Sequence, residues 1–335
     1  MNDLKYRIAS LLYRTRFGEK LLMTLNIWLN DWQIKPPAYS AFFSRLREVE
    51  ECCKKAEELY AALDEPSRKI VKDFLRRQSL LPENMEEAKC FFYRLSRNLT
   101  PEERKKDRIR EKAFRKLRKK YHFTQLGCGE ESLLFHHGLK DMPEKVLSYI
   151  KGRDFVDAGA CFGDSTLAFL PYGPRKIYAF EPSPANGEIF KMIMKKNHVP
   201  EENYALVPMG LASRKGEIFF FDSGDIGNNL RQSGETRAEL VTLDDFVREK
   251  NADIGVVKAD LEGMGLDMIK GAKETLVKCK PVLSLSIYHS QEEFFGIYPL
   301  LKEWLPDYHF CIRSMTFFRS MGEITLLGFP RELLK

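Results

Sequence analysis

From Asp3 to about His122, apolar residues recur at spacings of three and four. Glycines are few in this stretch, and prolines stand at breaks: Pro36-Pro37, Pro66, Pro82 and Pro101. That period is helical and predicts an all-helical N-terminal region. Ser40 is a candidate cap for a helix from Ala41 to Leu63, Asp64 opens the helix carrying Ile70, Val71, Phe74 and Leu75, and Thr100-Pro101-Glu102-Glu103 is a capping box with Pro at the first helical position. After about Phe123 the pattern changes to short β-branched and aromatic runs that alternate with Gly-bearing turns and helical stretches. Such alternation predicts βαβ units around a largely parallel sheet. The strands fall at Phe155–Ala158, Lys176–Phe180, Ala205–Pro208, Gly255–Ala259, Pro281–Tyr288, Tyr308–Arg313 and Glu323–Gly328, with a hairpin element around Glu217–Phe221. Helices fall at Ser165–Leu170, Ala185–Asn197, Leu243–Lys250 and Asp267–Lys278. The expected organisation is a helical region over 1–122 and an α/β domain over 123–335.

Composition excludes several classes. The chain has 335 residues, 44% of them hydrophobic, which suits one large or two ordinary globular domains. Its longest apolar candidate for a membrane span, Leu21 to Leu29, is too short and ends at Asn30 and Asp31. The first thirty residues mix Lys5, Arg7, Arg14 and Arg16 with Asp3 and Glu19 and read as structure rather than a targeting signal. Seven cysteines without a CxxC pair read as reduced thiols, so a cytoplasmic location is expected and no metal site is.

The net charge of +6 is concentrated. Residues 101–120 hold eleven Lys or Arg against four Asp or Glu and net +7, leaving −1 for the rest. Ile109, Ala113, Leu117 and Tyr121, with Phe114 beside them, give this helix a narrow apolar stripe and a wide basic face. The face is either solvated or a docking surface for an anionic glycan, a lipid headgroup surface or a nucleic acid. No nucleic-acid motif accompanies it, and DNA is not expected as a partner.

Candidate chemistry begins at Phe155–Thr166, an apolar strand running into a Gly-bearing turn and a helix start. The next strand ends at Glu181, 24 residues after Asp157, where an acid can accept hydrogen bonds from both ribose hydroxyls of an adenosine. A dinucleotide turn requires G-x-G-x-x-G; here the glycines are Gly159 and Gly163, and Cys161 stands where the second glycine would be. The carboxylates Asp157 and Asp164 repel a diphosphate but suit the ammonium and sulfonium of S-adenosylmethionine, which is therefore the expected cofactor. A tight structural turn is the alternative.

At this point the sequence resembles the FkbM-type S-adenosylmethionine-dependent methyltransferases, from about Gly129 to Pro330. The blocks that carry the resemblance are Glu130-Glu131-Ser132, the turn from Val156 to Thr166, Phe180-Glu181-Pro182, Thr242 to Phe246, Val257-Lys258-Ala259-Asp260-Leu261-Glu262-Gly263, Lys270-Gly271-Ala272 and Ser286-Ile287-Tyr288-His289. Met264-Gly265 depart from a family pattern of a small residue followed by an acid. The resemblance implies a Rossmann-like seven-stranded sheet with helices on both faces and an antiparallel last strand. It also implies methyl transfer to oxygen, commonly a hydroxyl or carboxyl of a sugar, glycolipid or secondary metabolite.

In an open α/β sheet the ligand lies beyond the carboxyl ends of the strands, which singles out Asp157, Glu181, Asp260, Tyr288 and His289. The expected cofactor residues are Asp157, Gly159, Ala160, Phe162 and Gly163 of the turn, Glu181 with Pro182, Ala212 and Ser213 at the adenine, and Asp260. Methyl transfer to a hydroxyl needs in-line alignment and a base. His289 is the first candidate because imidazole titrates near neutrality; the alternative is a packing histidine. Asp260 and Glu262 can share the base role or hold acceptor hydroxyls, unless Asp260 caps the following helix. Tyr288 can donate to acceptor or cofactor, unless it only packs. Three other functions compete: a nucleic-acid methyltransferase using the basic helix, a nicotinamide oxidoreductase, and a catalytically silent methyltransferase fold that binds a partner. The fourth strand ends in Asp260-Leu261-Glu262-Gly263, not the N/D-P-P-Y/F pattern of amino-group methylation, which counts against the first.

Overall fold

The computed structural model describes residues 49–79, 101–123, 129–222, 234–316 and 322–334. Ser40 and Thr100, expected as helix caps, lie outside the described residues. The described N-terminal parts are helical: α1 (Val49–Ala62), α2 (Glu65–Ser79) and α3 (Pro101–Lys120). Asp64 caps α2 as expected, its carboxylate accepting from the Ser67 backbone N–H at 3.0 Å. Two short helices, α4 (Glu130–Leu133) and α5 (Glu144–Ile150), then lead into β1 (Asp154–Ala158).

The remaining elements follow the α/β alternation. They are α6 (Asp164–Phe169), β2 (Ile177–Phe180), α7 (Pro184–Lys196), β3 (Tyr204–Val207), β4 (Met209–Leu211), β5 (Gly216–Phe220), β6 (Thr236–Val241) and α8 (Leu243–Lys250), then β7 (Ile254–Ala259), α9 (Gly265–Lys270), α10 (Lys273–Cys279), β8 (Val282–Ser286), α11 (Gln291–Trp304), β9 (Tyr308–Ser314) and β10 (Ile324–Pro330). Seven strands form one sheet in the order β3-β2-β1-β7-β8-β10-β9, and β10 runs antiparallel to both neighbours. All seven expected strands are present, each within two residues of its expected ends. The expected hairpin element is β5, which pairs with β6 beside β4 in a separate three-stranded sheet.

The helix expected over Asp267–Lys278 is two helices. Gly271 lies so close to the Ala212 carbonyl that a Cβ would fall 2.1 Å from that oxygen, and the Asp244 carboxylate caps the new helix through Glu274 and Thr275 N–H. Sequence periodicity did not predict α11, which carries Pro299 in its interior. The strands β1, β7 and β8 are buried at every residue, because helices cover both faces of a parallel sheet. Helix α2 covers the edge strand β9: Val71 and Phe74 are fully buried, and Ser67 Oγ accepts from the Ile312 N–H at 2.8 Å. Strand order reverses between β1 and β7, and that switch point leaves a crevice at the carboxyl ends of the two strands.

Candidate active site

Strand β1 ends in the turn Gly159–Gly163. The N–H groups of Gly159 and Ala160 both donate to the Phe180 carbonyl at 3.0 Å, and Asp260 N–H donates to Ala158 O at 3.0 Å, so the ends of β1, β2 and β7 are tied together. Gly159 has φ +78°, and a Cβ there would fall 2.0 Å from the Asp260 carbonyl. A Cβ on Gly163, at φ +86°, would meet Met194 and Phe190 of α7. Both glycines therefore allow close packing of protein against the turn.

Asp157 is fully buried and faces inward. Its carboxylate accepts from Ser165 Oγ at 2.7 Å and Thr166 Oγ1 at 2.6 Å, and Lys258 Nζ lies 3.1 Å from its other oxygen. Lys258 also donates to Gly159 O at 2.7 Å. Burial opposes its charge, but Asp157 and Asp260 hold its pKa above the ordinary lysine value. Glu181 accepts from the N–H groups of Cys161 and Ser183, both at 2.9 Å, and burial pushes its pKa up to about 7.

Around the crevice stand acids from four parts of the chain. Asp164 is buried and accepts from Gly129 N–H at 2.8 Å; burial raises its pKa. The Glu131 carboxyl folds back over Gly129, so that a Cβ on Gly129 would fall 1.2 Å from Glu131 Oε1. Burial, Glu323 and Asp164 raise its pKa well above the usual carboxylate range. Glu323 accepts from Tyr288 Oη at 2.9 Å, and burial with Asp260 pushes its pKa up to about 8. His289, buried, lies between Asp260 (3.4 Å) and Glu262 (3.6 Å) at Nε2 and Glu293 (3.5 Å) at Nδ1, and neither ring nitrogen has a hydrogen-bond partner. Burial alone would lower its pKa; the carboxylates raise it to about 9. Asp260 Oδ1 is likewise buried without a hydrogen-bond partner. Cys161, Glu262 and Glu323 all hold positive φ, at 45°, 49° and 55°, so left-handed backbone of non-glycine residues clusters at this crevice. Among the described residues, no group of three or more His, Cys, Asp or Glu is placed to hold a metal ion.

Residues 157–322 match the methyltransferase FkbM domain. This chain carries an FkbM methyltransferase domain. Two relatives agree. The 2-O-methyltransferase NoeI of Sinorhizobium fredii is 26% identical over 191 residues, which are 49% of this chain and 76% of that protein. The solved structure of methyltransferase FkbM from Methylobacillus flagellatus superposes with a TM-score of 0.57 at 15% identity, over 84% of this chain; the chain spans 60% of that structure's length, and the likeness is one of fold.

Within the FkbM domain the site residues expected from sequence fall into three sets. Asp260, Glu262, Tyr288 and His289 converge, with the Tyr288 and His289 rings 4.0 Å apart. Glu181 and half-buried Pro182 sit at the end of β2 beside the turn. Asp157 corrects the expectation of a carboxylate open to a cationic ligand, because Ser165, Thr166 and Lys258 already surround it. Phe162 is buried in a cluster with Phe123, Leu133, Ala160 and Phe190 and packs the core. Ala212 and Ser213 are held by backbone bonds, Ala212 N–H to Val241 O and Ser213 N–H to Asp267. His289 was expected to titrate near neutrality; its three carboxylate neighbours instead keep it protonated there. Gly265, a departure from the family pattern, opens α9 by donating its N–H to Glu293 Oε1 at 2.6 Å, and a Cβ there would crowd that oxygen at 2.8 Å.

Proposed function

We propose that this protein is an S-adenosylmethionine-dependent O-methyltransferase that acts on a hydroxyl of a glycan, glycolipid or related polyol. The observation that carries the reading is the crevice at the β1–β7 switch point: buried Asp260 Oδ1 and both nitrogens of buried His289 lack hydrogen-bond partners there, and His289 Nε2 faces Asp260 Oδ1 across 3.4 Å. The donor set fits a cationic cofactor. Asp164, Glu131, Asp260, Glu262 and Glu323 surround the crevice, and the cations facing them are Lys258 and His289.

When bound, the cofactor supplies an electrophilic methyl group on a positively charged sulfur. Glu181 is placed to accept from ribose hydroxyls with the lone pairs that Cys161 and Ser183 leave free. The turn backbone and Asp164 hold the amino-acid end. Asp260 and His289 form the proton-accepting pair. In the absence of ligand the ring keeps its proton because three carboxylates surround it, and positive charge brought into the crevice lowers its pKa toward the range of a working base. Tyr288, oriented by Glu323, is placed to align the acceptor oxygen. A hydroxyl acceptor suits this arrangement better than a carboxylate, which needs no base and is repelled by the surrounding acids. Among the described residues no helix is long and apolar enough to cross a membrane, and the basic face of α3 is a candidate contact with an anionic surface. A nicotinamide dinucleotide fits poorly, because its diphosphate would meet Asp164 and Glu131.

Calorimetric titration with S-adenosylmethionine, S-adenosylhomocysteine and NAD tests the reading. The first two are expected to bind and NAD is not; the reverse pattern removes it. Glu181→Ala is expected to weaken both bound ligands by about 1.5 to 3 kcal/mol through lost charge-assisted hydrogen bonds. Unchanged affinity would exclude Glu181 from the cofactor site.

A further inference from the structure

On the Nδ1 side of His289 stands a carboxylate that the scheme above leaves without a role. Ser290 caps α11, its Oγ accepting from the Glu293 N–H at 3.2 Å, and this fixes the Glu293 backbone one turn beyond His289. A carboxylate at that third helical position ordinarily reaches back to the N–H of the capping residue. Here it goes elsewhere. Glu293 Oε1 accepts from the Gly265 N–H at 2.6 Å, at the start of α9, and Oε2 lies 3.5 Å from His289 Nδ1. Any side chain at position 265 would crowd this arrangement, because a Cβ there falls 2.8 Å from Oε1. Glu293 is almost fully buried, its Oε2 has no hydrogen-bond partner, and neither has the ring nitrogen that faces it. A buried acceptor and a buried ring N–H position thus meet at ion-pair distance, and long separations of this kind shorten when a ligand fills the site.

We propose that Glu293 is the positioning residue that holds a proton on His289 Nδ1, so that Nε2 is the nitrogen that takes the proton from the acceptor hydroxyl. The assignment deepens the methyl-transfer reading above and rests on it. The carboxylates on the two sides of the ring compete for the one proton that a neutral imidazole carries. Asp260 and Glu262 face Nε2 with side chains 19% and 39% exposed, whereas Glu293 faces Nδ1 at 1%. Water or a ligand can reach the acids at Nε2, and neither can reach Glu293. A proton placed on Nε2 would therefore leave the most buried acid unpartnered, which is the costlier choice. The dipole of α11 also favours negative charge in its first turn, where Glu293 sits. Of the other groups around the ring, Glu323 acts on its charge from just before β10, and the Tyr288 ring packs 4.0 Å away.

The chemical consequence is a direction for the proton. When positive charge entering the crevice drives one proton off the ring, the one that leaves is at Nε2, on the side of Asp260. As the acceptor O–H bond then breaks, its proton goes to Nε2, and the electron pair left on oxygen forms the bond to the methyl group. The bond from that methyl group to sulfur breaks with its pair staying on sulfur. The imidazolium that results is held by Glu293 at Nδ1 and by Asp260 at Nε2.

The test reads the ring itself, by proton–nitrogen correlation NMR of the full chain labelled at histidine, with His289→Gln identifying the signal among six histidines. Between about pH 6 and about pH 10.5 the wild-type ring is expected to pass from the doubly protonated to the Nδ1–H form, with its pKa pushed up to about 9 by the surrounding carboxylates. In Glu293→Gln the amide oxygen can still accept from Gly265, which turns an NH2 donor toward Nδ1. The neutral ring should then switch to the Nε2–H form and lose its second proton about 1 to 3 pH units lower. A residue that only packs would alter stability and leave the tautomer in place. An Nε2–H ring in the wild type, or an Nδ1–H ring that persists in Glu293→Gln, overturns the assignment. Should Glu293→Gln fail to fold, Gly265→Ala carries the test, because the added methyl group crowds Oε1; the Nε2–H form should appear there too, and an unchanged ring again overturns the assignment. Neither methyl donor nor acceptor enters these spectra. Calorimetry that finds no S-adenosylmethionine binding beside an Nδ1–H ring would remove the methyl-transfer reading and the proton-taking role with it, whereas binding beside an Nε2–H ring would remove the Glu293 assignment alone.

Discussion

Lys258 joins the sequence to the site at the smallest scale. It stands in β7 among Val256, Val257 and Ala259, on a strand buried at every position. A charge there is tolerated only with partners, and Asp157, Gly159 O and Ala158 O supply them. Through these contacts one side chain holds the turn of β1 against the end of β7. Lys258→Met, close in shape but uncharged, strands the Asp157 carboxylate and is expected to cost about 3 to 5 kcal/mol of unfolding free energy in urea melts. Asp157→Asn made together with it should recover much of the loss; if the double variant is no more stable than the single one, the pair does not organise the turn. Asp157 and Glu181 were legible in the sequence because each follows a recognisable strand by a fixed spacing. The surroundings of Asp157 were not, since the lysine that occupies it arrives from a strand a hundred residues away. A lone lysine inside an apolar run was the available signal. Glu131 and Glu323 were less legible still, because each alone is an ordinary surface-type residue in a loop or helix start, and only tertiary folding brings both toward the crevice acids.

At the scale of elements, the main strands were readable because parallel strands covered on both faces are short, nearly continuous apolar runs. What periodicity misread has local causes in other elements. The break at Gly271 is set by the Ala212 carbonyl pressing on it and by Asp244 from α8 capping the next helix. On and just after α3, Phe114, Leu117 and Tyr121 are half-buried against the core, whereas Ile109 is 63% exposed and Ala113 is exposed as well. The expected stripe therefore holds in its second half, at Phe114, Leu117 and Tyr121, and fails in its first, at Ile109 and Ala113. Helix α2 shows how the helical region supports the sheet. Phe74 is fully buried and stacks on Phe294 of α11 at 5.1 Å, and Arg313 of β9 pairs with Asp64 at 2.8 Å. Phe74→Ala is expected to cost about 3 to 5 kcal/mol, since a buried aromatic leaves a cavity that a clamped sheet edge closes poorly. Hydrogen exchange at the Ile312 amide, bonded to Ser67 Oγ, should accelerate in the same variant. Normal protection at Ile312 would mean that α2 covers β9 without anchoring it.

For the whole molecule the decisive quantity is charge distribution. Helix α3 turns Phe114, Leu117 and Tyr121 onto the core cluster around Ala160, Phe162 and Phe190, and Arg110 pairs with Glu130 of α4 at 2.9 Å. Its outer face carries exposed Lys105, Lys106, Arg108, Lys112, Lys116, Lys119 and Lys120. Helix α4 adjoins both α3 and the crevice acids: its Glu130 pairs with Arg110 of α3, and Asp164 acts on the charge of its Glu131. By charge alone, an anionic surface would be drawn to α3 and repelled from the crevice acids. It follows that vesicles with about 30% anionic lipid should bind the protein at low salt and release it as ionic strength approaches about 1 M, where the screening length falls to about 3 Å. Reversing charge at Lys105, Lys106, Lys112 and Lys119 should abolish binding at low salt while leaving cofactor affinity intact, because none of the four reaches the crevice acids. Vesicle binding that survives both high salt and charge reversal would reduce the basic face to a solvated one; binding lost to both would make α3 the element that holds the protein where its acceptor is presented.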